Sequence, residues 1–209
     1  MQMESETVVI IDYGAGNLAS VQNALDKLGA KWSVSSNPAE IRAAKRIIFP
    51  GVGSFGSMME RLRERKLDAA IRDAIASGTP FLGICLGMQA LFESSEESPG
   101  VKGLGVLEGE VVKFQKGKVP QVGWNEVKAR GNGALKSGYF YFVNSYYCRP
   151  KEQKIVAATT DYFGEFASVV SAANVMAVQY HPEKSGRAGM EFLQRWLEGP
   201  VADGGSSSC

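Results

Sequence analysis

A chain of 209 residues that is 44% hydrophobic is long enough to bury one large core, and its 23 basic and 22 acidic side chains nearly cancel. The charges are scattered, so bulk electrostatics select neither nucleic acid nor an anionic membrane surface. No apolar run reaches the roughly 20 residues of a membrane span. The start MQMESETVVI lacks a basic stretch ahead of an apolar signal segment. Three widely spaced cysteines, Cys85, Cys148 and Cys209, fit neither a disulfide framework nor paired zinc ligands. The expectation is a cytoplasmic chain with reduced thiols and no metal site.

In chain order, Thr7 to Asp12 reads as a buried strand, followed by the turn Tyr13-Gly14-Ala15-Gly16-Asn17 and a helix with Leu18, Val21, Leu25 and Leu28 on one face. Gly29 stops that helix and Lys31 to Ser35 is the next strand. Arg46 to Phe49 is a short buried strand ending in Pro50-Gly51-Val52-Gly53. Met58, Leu62, Leu67, Ile71 and Ile75 then mark one or two helices closed by Gly78. The strand Thr79 to Ile84 runs without a linker into the helix-prone segment Cys85 to Phe92.

From about Leu104 the period shifts toward two. Gly109 to Phe114, Gln121 to Lys128, Tyr139 to Asn144, Ile155 to Thr160 and Val175 to Tyr180 read as strands with little helix between them. A closing helix carries Met190, Leu193, Trp196 and Leu197 and ends at Gly199-Pro200. Residues 1–200 form one domain in this reading, and 201–209 a disordered tail. The predicted architecture is a three-layer α/β sandwich. A mainly parallel, flavodoxin-like central sheet is extended by antiparallel strands, with the site at the carboxyl edge of the parallel ones.

Gly83-Ile84-Cys85-Leu86-Gly87 has the small-x-nucleophile-x-small form of an elbow, with cysteine in place of serine. The elbow puts the sulfur at a helix start, where the dipole and free N–H groups favour thiolate, and offers the Leu86 N–H to an oxyanion. The competing reading is a small buried hydrophobe between packing glycines. A cysteine nucleophile needs a base, and the chain has a single histidine, His181, at the end of an apolar strand. Glu183, two residues on, can orient its imidazole, although most glutamates are simply solvated. Residues 50–56 are open to three readings: a phosphate cradle without the Walker lysine, an ordinary turn, or the source of a second oxyanion N–H from Val52 or Gly53. Glycines on both sides of Val52 leave that peptide easy to reorient, so a partner could regulate hydrolysis there.

Gly-Ile-Cys-Leu-Gly-Met-Gln around Cys85, Pro-Gly-Val-Gly around Val52 and His-Pro-Glu-Lys-Ser from His181 together resemble the class I (triad) glutamine amidotransferases. The segments Tyr13 to Asn17, Ser95 to Val101, Gly123-Trp124-Asn125 and Tyr141 to Tyr146 narrow the resemblance to the branch that supplies the glutaminase subunits of imidazole glycerol phosphate synthases, over about residues 7–198. The resemblance implies a heterodimer whose partner is a cyclase with a (β/α)8 barrel, glutamine as substrate, no cofactor, and ammonia passed between subunits in histidine biosynthesis. It also implies that Gly51, Gln89, Glu97, Ser145 and Tyr146 line the glutamine pocket, and that Asn17, Pro120 and Trp124 lie toward the partner. Two departures stand out: many relatives carry histidine where this chain has Gln121 and Asn144.

Three other readings compete. A different amidotransferase glutaminase, such as the pyridoxal phosphate synthase subunit, would share the triad. A flavodoxin-like binding module would use the Gly14 and Gly51 turns for an anion and leave Cys85 inert. A cysteine peptidase would use the same elbow on another acyl substrate.

Overall fold

A computed structural model describes residues 7–14, 18–130 and 135–199; Asn17 and the expected tail 201–209 lie outside the described residues. The first half alternates strand and helix: β1 (Val8–Ile11), α1 (Ala19–Lys27), β2 (Trp32–Ser35), α2 (Pro38–Ala43), β3 (Arg46–Gly51), α3 (Phe55–Glu64), α4 (Leu67–Ala76) and β4 (Phe81–Cys85). Helix α2 was not anticipated from periodicity, because six residues are too few to show one. It rests instead on its start, where the Asn37 side chain accepts from the Ala39 N–H and Pro38 opens the helix.

Helix α5 (Leu86–Gln89) follows β4 directly and is shorter than the run expected to Phe92. The carbonyls of Ala90 and Phe92 accept from the Leu104 and Gly105 N–H groups, so the returning chain takes the place of further helical turns. The remainder is mostly strand: β5 (Ser94–Ser95), β6 (Gly109–Lys113), β7 (Gln121–Ala129), β8 (Gly138–Asn144), β9 (Tyr146–Pro150), β10 (Val156–Asp161), β11 (Glu165–Ala172) and β12 (Val175–Val178), closed by α6 (Gly186–Glu198). No described helix is long and apolar enough to cross a membrane.

The main sheet runs β2-β1-β3-β4-β12-β11-β10-β7-β8. Its first five strands are parallel, and from β11 onward the pairing is antiparallel, as expected. All residues of β1, β3 and β4 are buried, which is why, apart from Arg46 at the start of β3, they read as apolar runs rather than alternations. Successive residues feed opposite faces: Ile11 and Phe49 pack with Met58, Leu62 and Ile71 on one side, and Ile10 and Ile48 with Val21, Leu25, Phe192 and Trp196 on the other. Gly51 at the end of β3 is level with Cys85 at the end of β4, and Val178 at the end of β12 is level with Ile84. The chain leaving β12 therefore carries residues 179–181 past the Cys85 corner.

Candidate active site

Cys85 turns β4 into α5 with φ +55° and ψ −111°, a conformation that side chains strongly disfavour. Close packing enforces it. A Cβ on Gly87 would lie 1.9 Å from the Phe49 carbonyl oxygen, and one on Gly83 would lie 3.0 Å from the Gly87 carbonyl oxygen. The glycines let α5 begin against β3, and the sulfur is left at the helix start with the residue 7% exposed. As the first helical residue, Leu86 has an N–H with no acceptor inside the helix.

His181 is held by its backbone: its N–H donates to the Tyr141 carbonyl at 2.9 Å, and its carbonyl accepts from the Ser185 hydroxyl at 2.6 Å. Pro182 starts the 3-10 turn Pro182–Lys184, which swings Glu183 back so that its Oε1 meets His181 Nδ1 at 2.8 Å. Both side chains are nearly buried, and Glu183 Oε2 has no hydrogen-bond partner among the described residues. A carboxylate so enclosed needs a cation beside it. Burial pulls the His181 pKa down, but the charge and hydrogen bond of Cys85, then those of Glu183, outweigh it and lift the pKa from 6.5 to about 10. With Nδ1 committed to Glu183, Nε2 is the nitrogen left for the sulfur.

Cys85 and His181 open on a cleft of about 280 Å³, bordered also by Gly51, Val52, Gly53, Leu86, Gln89, Glu97, Pro120, Ser145 and Tyr146. That size suits a single small ligand. Glu183 stands behind the imidazole, whereas Trp124 lies outside the cleft on the outer face of β7. Glu97 has a second role: its carboxylate accepts from the Phe55 N–H at 2.6 Å and closes the start of α3. A larger hollow of about 430 Å³ lies at the opposite edge of the parallel strands, lined mainly by apolar groups and bordered by neither Cys85 nor His181.

The Val52 N–H is engaged. It donates to the Tyr13 hydroxyl at 3.1 Å, and the same hydroxyl donates to the Val52 carbonyl at 2.9 Å. Tyr13 is buried, and Val52 is 40% exposed. Gln179 is a second contact that the sequence did not reveal. Fully buried, it directs its Nε2 at Cys85 Sγ, 3.7 Å away. Tyr13 opens the Tyr13 to Asn17 segment and Gln179 lies in a strand, but nothing in the sequence announces either contact, because both join positions distant in sequence.

The two departures from the family pattern meet. Gln121 and Asn144 are opposite each other in the β7–β8 pair, and both are buried. Asn144 donates to the Tyr146 carbonyl at 3.0 Å, whereas both amide atoms of Gln121 and Asn144 Oδ1 lack partners among the described residues. The opposite face of this hairpin is exposed: Val122 and Trp124 sit across from Val143 and Tyr141 as an apolar patch, and Tyr139 sits across from Glu126, which pairs with Lys128.

The glutamine amidotransferase class-I family matches residues 9–198. Imidazole glycerol phosphate synthase subunit HisH of Rhodopirellula baltica is 48% identical over 201 residues, covering 93% of this chain and 98% of that one. The subunit HisH of Moorella thermoacetica is 49% identical over 197 residues, covering 91% and 94%. Among solved structures, a glutamine amidotransferase superposes with a TM-score of 0.74 at 22% identity, over 91% of this chain and 97% of the other. PurLQS from Thermotoga maritima gives 0.76 at 19% identity, over 93% and 98%. These two likenesses speak to the fold alone.

Proposed function

The chain belongs to the class-I glutamine amidotransferases, and on that premise we propose that it is the glutaminase subunit of an imidazole glycerol phosphate synthase. It hydrolyses glutamine to glutamate and ammonia and hands the ammonia to a separate cyclase, a (β/α)8 barrel, in the cytoplasm. The observation that carries this reading is the Cys85 elbow facing a histidine that is held by Glu183 at 2.8 Å.

The Cys85 sulfur attacks the side-chain carboxamide carbon of glutamine, and the oxyanion that forms is held by the Leu86 N–H. His181 Nε2 takes the proton from the Cys85 sulfur as it attacks, and Glu183 on Nδ1 holds the imidazolium that forms. The imidazolium gives its proton to the leaving nitrogen as the C–N bond breaks, and ammonia departs. The neutral imidazole then takes a proton from water, whose oxygen attacks the thioester; collapse returns glutamate, thiolate and imidazolium. A second oxyanion donor comes from Gly53, or from Val52 once its peptide leaves Tyr13. Gly51, Gln89, Glu97, Ser145 and Tyr146 surround the substrate.

The exposed apolar face carrying Trp124 is the docking surface for the cyclase, with Asn17 and Pro120 toward the same partner. Its position supports this: Val143 belongs both to that face and to the border of the cleft, and Pro120 also borders the cleft. Ammonia leaving there meets the partner before it meets bulk water, where protonation would remove its nucleophilic lone pair. The test is ammonia release from glutamine with and without the cyclase and its nucleotide ligand. Activity lost in Cys85→Ala and raised by the partner is expected. Equal rates with and without the cyclase would undo the subunit assignment.

A further inference from the structure

We infer that Gln179 is a positioning residue for the nucleophile, fixing the Cys85 sulfur and stabilising its thiolate through an N–H···S bond that is oriented by Gln89. This rests on the glutaminase reading above and adds a residue to it.

The polarity of the contact is forced. A backbone carbonyl can only accept, so the Gln89 amide must turn its nitrogen to the Tyr146 carbonyl, 3.1 Å away. That same nitrogen lies 3.1 Å from the Gln179 side chain, which must therefore present its oxygen. The Gln179 nitrogen is left facing Cys85 Sγ at 3.7 Å. The chain from carbonyl to Gln89 to Gln179 to sulfur has one consistent direction, and it ends in a donor.

A neutral thiol is a weak acceptor, whereas a thiolate accepts strongly, so a fixed N–H in a buried site favours the charged form of the sulfur. His181 also favours it, but as the proton donor of the reaction its charge is lost when ammonia leaves. Gln179 has no proton to give up and keeps its donor through both half-reactions. Gln179 is fully buried, and its neighbour Gln89 borders the cleft, so the anchoring chain begins where substrate sits and ends on the attacking atom.

The test compares Gln179→Met, nearly isosteric and without a donor, with Gln179→Glu, which presents only acceptors when ionised. Thermal melting first establishes that each variant folds. For Gln179→Met the expected result is a kcat lowered about tenfold or more with KM within about twofold, as befits loss of a hydrogen bond to a charged group. Alkylation of Cys85 by iodoacetamide should slow by a similar factor at pH 7, and its pH profile should move to higher pH. Gln179→Glu should lose more at neutral pH than Gln179→Met. Unchanged kcat and alkylation in a folded Gln179→Met would overturn the inference, as would a change confined to KM. Should both variants fail to fold, the wild-type chain decides: the Gln179 side-chain amide protons must shift across the pH range in which Cys85 alkylation rises, and a flat response refutes the contact. Alkylation needs no glutamine, so a chain without glutaminase activity would fail the functional reading while still testing Gln179.

Discussion

The parallel half of the sheet and the antiparallel half do different work. At the carboxyl edge of β3, β4 and β12 the backbone sets the proposed catalytic pair: Gly51 is level with Cys85, Cys85 has a strained φ, and His181 is tied by its N–H to the Tyr141 carbonyl and by its own carbonyl to the Ser185 hydroxyl. In the antiparallel half, Val143 and Asn144 of β8 border the cleft, the outer face of β7 and β8 is exposed, and the buried carboxamide of Gln121 has no partner among the described residues. The proposed function thus places chemistry at the parallel edge, where movement is least tolerated, and partner recognition on the outward face of β7 and β8. Substitutions should therefore separate into those that stop hydrolysis and those that alter only assembly or stability.

The largest expected effect comes from Gly87→Ala. A methyl 1.9 Å from the Phe49 carbonyl has no room, so α5 must lift from β3. The cost should reach several kcal/mol, lowering the melting temperature by about 10 °C and abolishing ammonia release. Near-normal activity in this variant would show that the elbow is not as tightly enforced as the packing implies.

Glu183→Gln comes next, with kcat reduced about 100-fold or more and a smaller change in KM. His181 is the chain's single histidine, so its imidazole titration can be followed without overlap by NMR. In the wild-type chain it should remain protonated past pH 8, given a pKa of about 10, and in Glu183→Gln it should titrate at lower pH. A raised pKa in the folded state means the His181 contribution to stability is complete below about pH 6.5 and is lost as pH rises through about 10. Denaturant midpoints at pH 7 and pH 10.5 should therefore differ more in the wild type than in Glu183→Gln.

On the antiparallel side, Trp124→Ala should weaken binding to the cyclase by about 30-fold while leaving partner-free glutamine hydrolysis unchanged. A loss of partner-free activity instead would merge the two halves functionally. The smallest effect belongs to Gln121→Leu. Exchanging a buried amide that has no partners among the described residues for an apolar side chain of similar size should raise the melting temperature by about 2–4 °C.

The same division marks what could be read in advance. The parallel strands and their glycine stops stand out because burial on both faces writes them as apolar runs between helical periods. Cys85 stands out through its flanking glycines, and His181 through being the only histidine. Glu183 looks like any surface glutamate until the Pro182 turn folds it under the imidazole. Helix α2 is too short for periodicity, and α5 is cut short by carbonyls that pair with residues 104 and 105, which local propensity cannot register. Tyr13 and Gln179 were not legible for a related reason. Tyr13 meets Val52 across 39 positions and Gln179 meets Cys85 across 94, so only the folded sheet brings them together. The family resemblance supplied the pocket residues, but not Tyr13's hold on the Val52 N–H.

Incubating the chain with an electrophilic glutamine analogue and mapping the adduct by mass spectrometry decides whether Cys85 is the nucleophile of a glutaminase and Cys148 is inert. Burial pushes the Cys148 thiol well up, so it should not react. A single adduct on Cys85 that excess glutamine suppresses is expected. An adduct on Cys148, or labelling of Cys85 that glutamine does not slow, would contradict it.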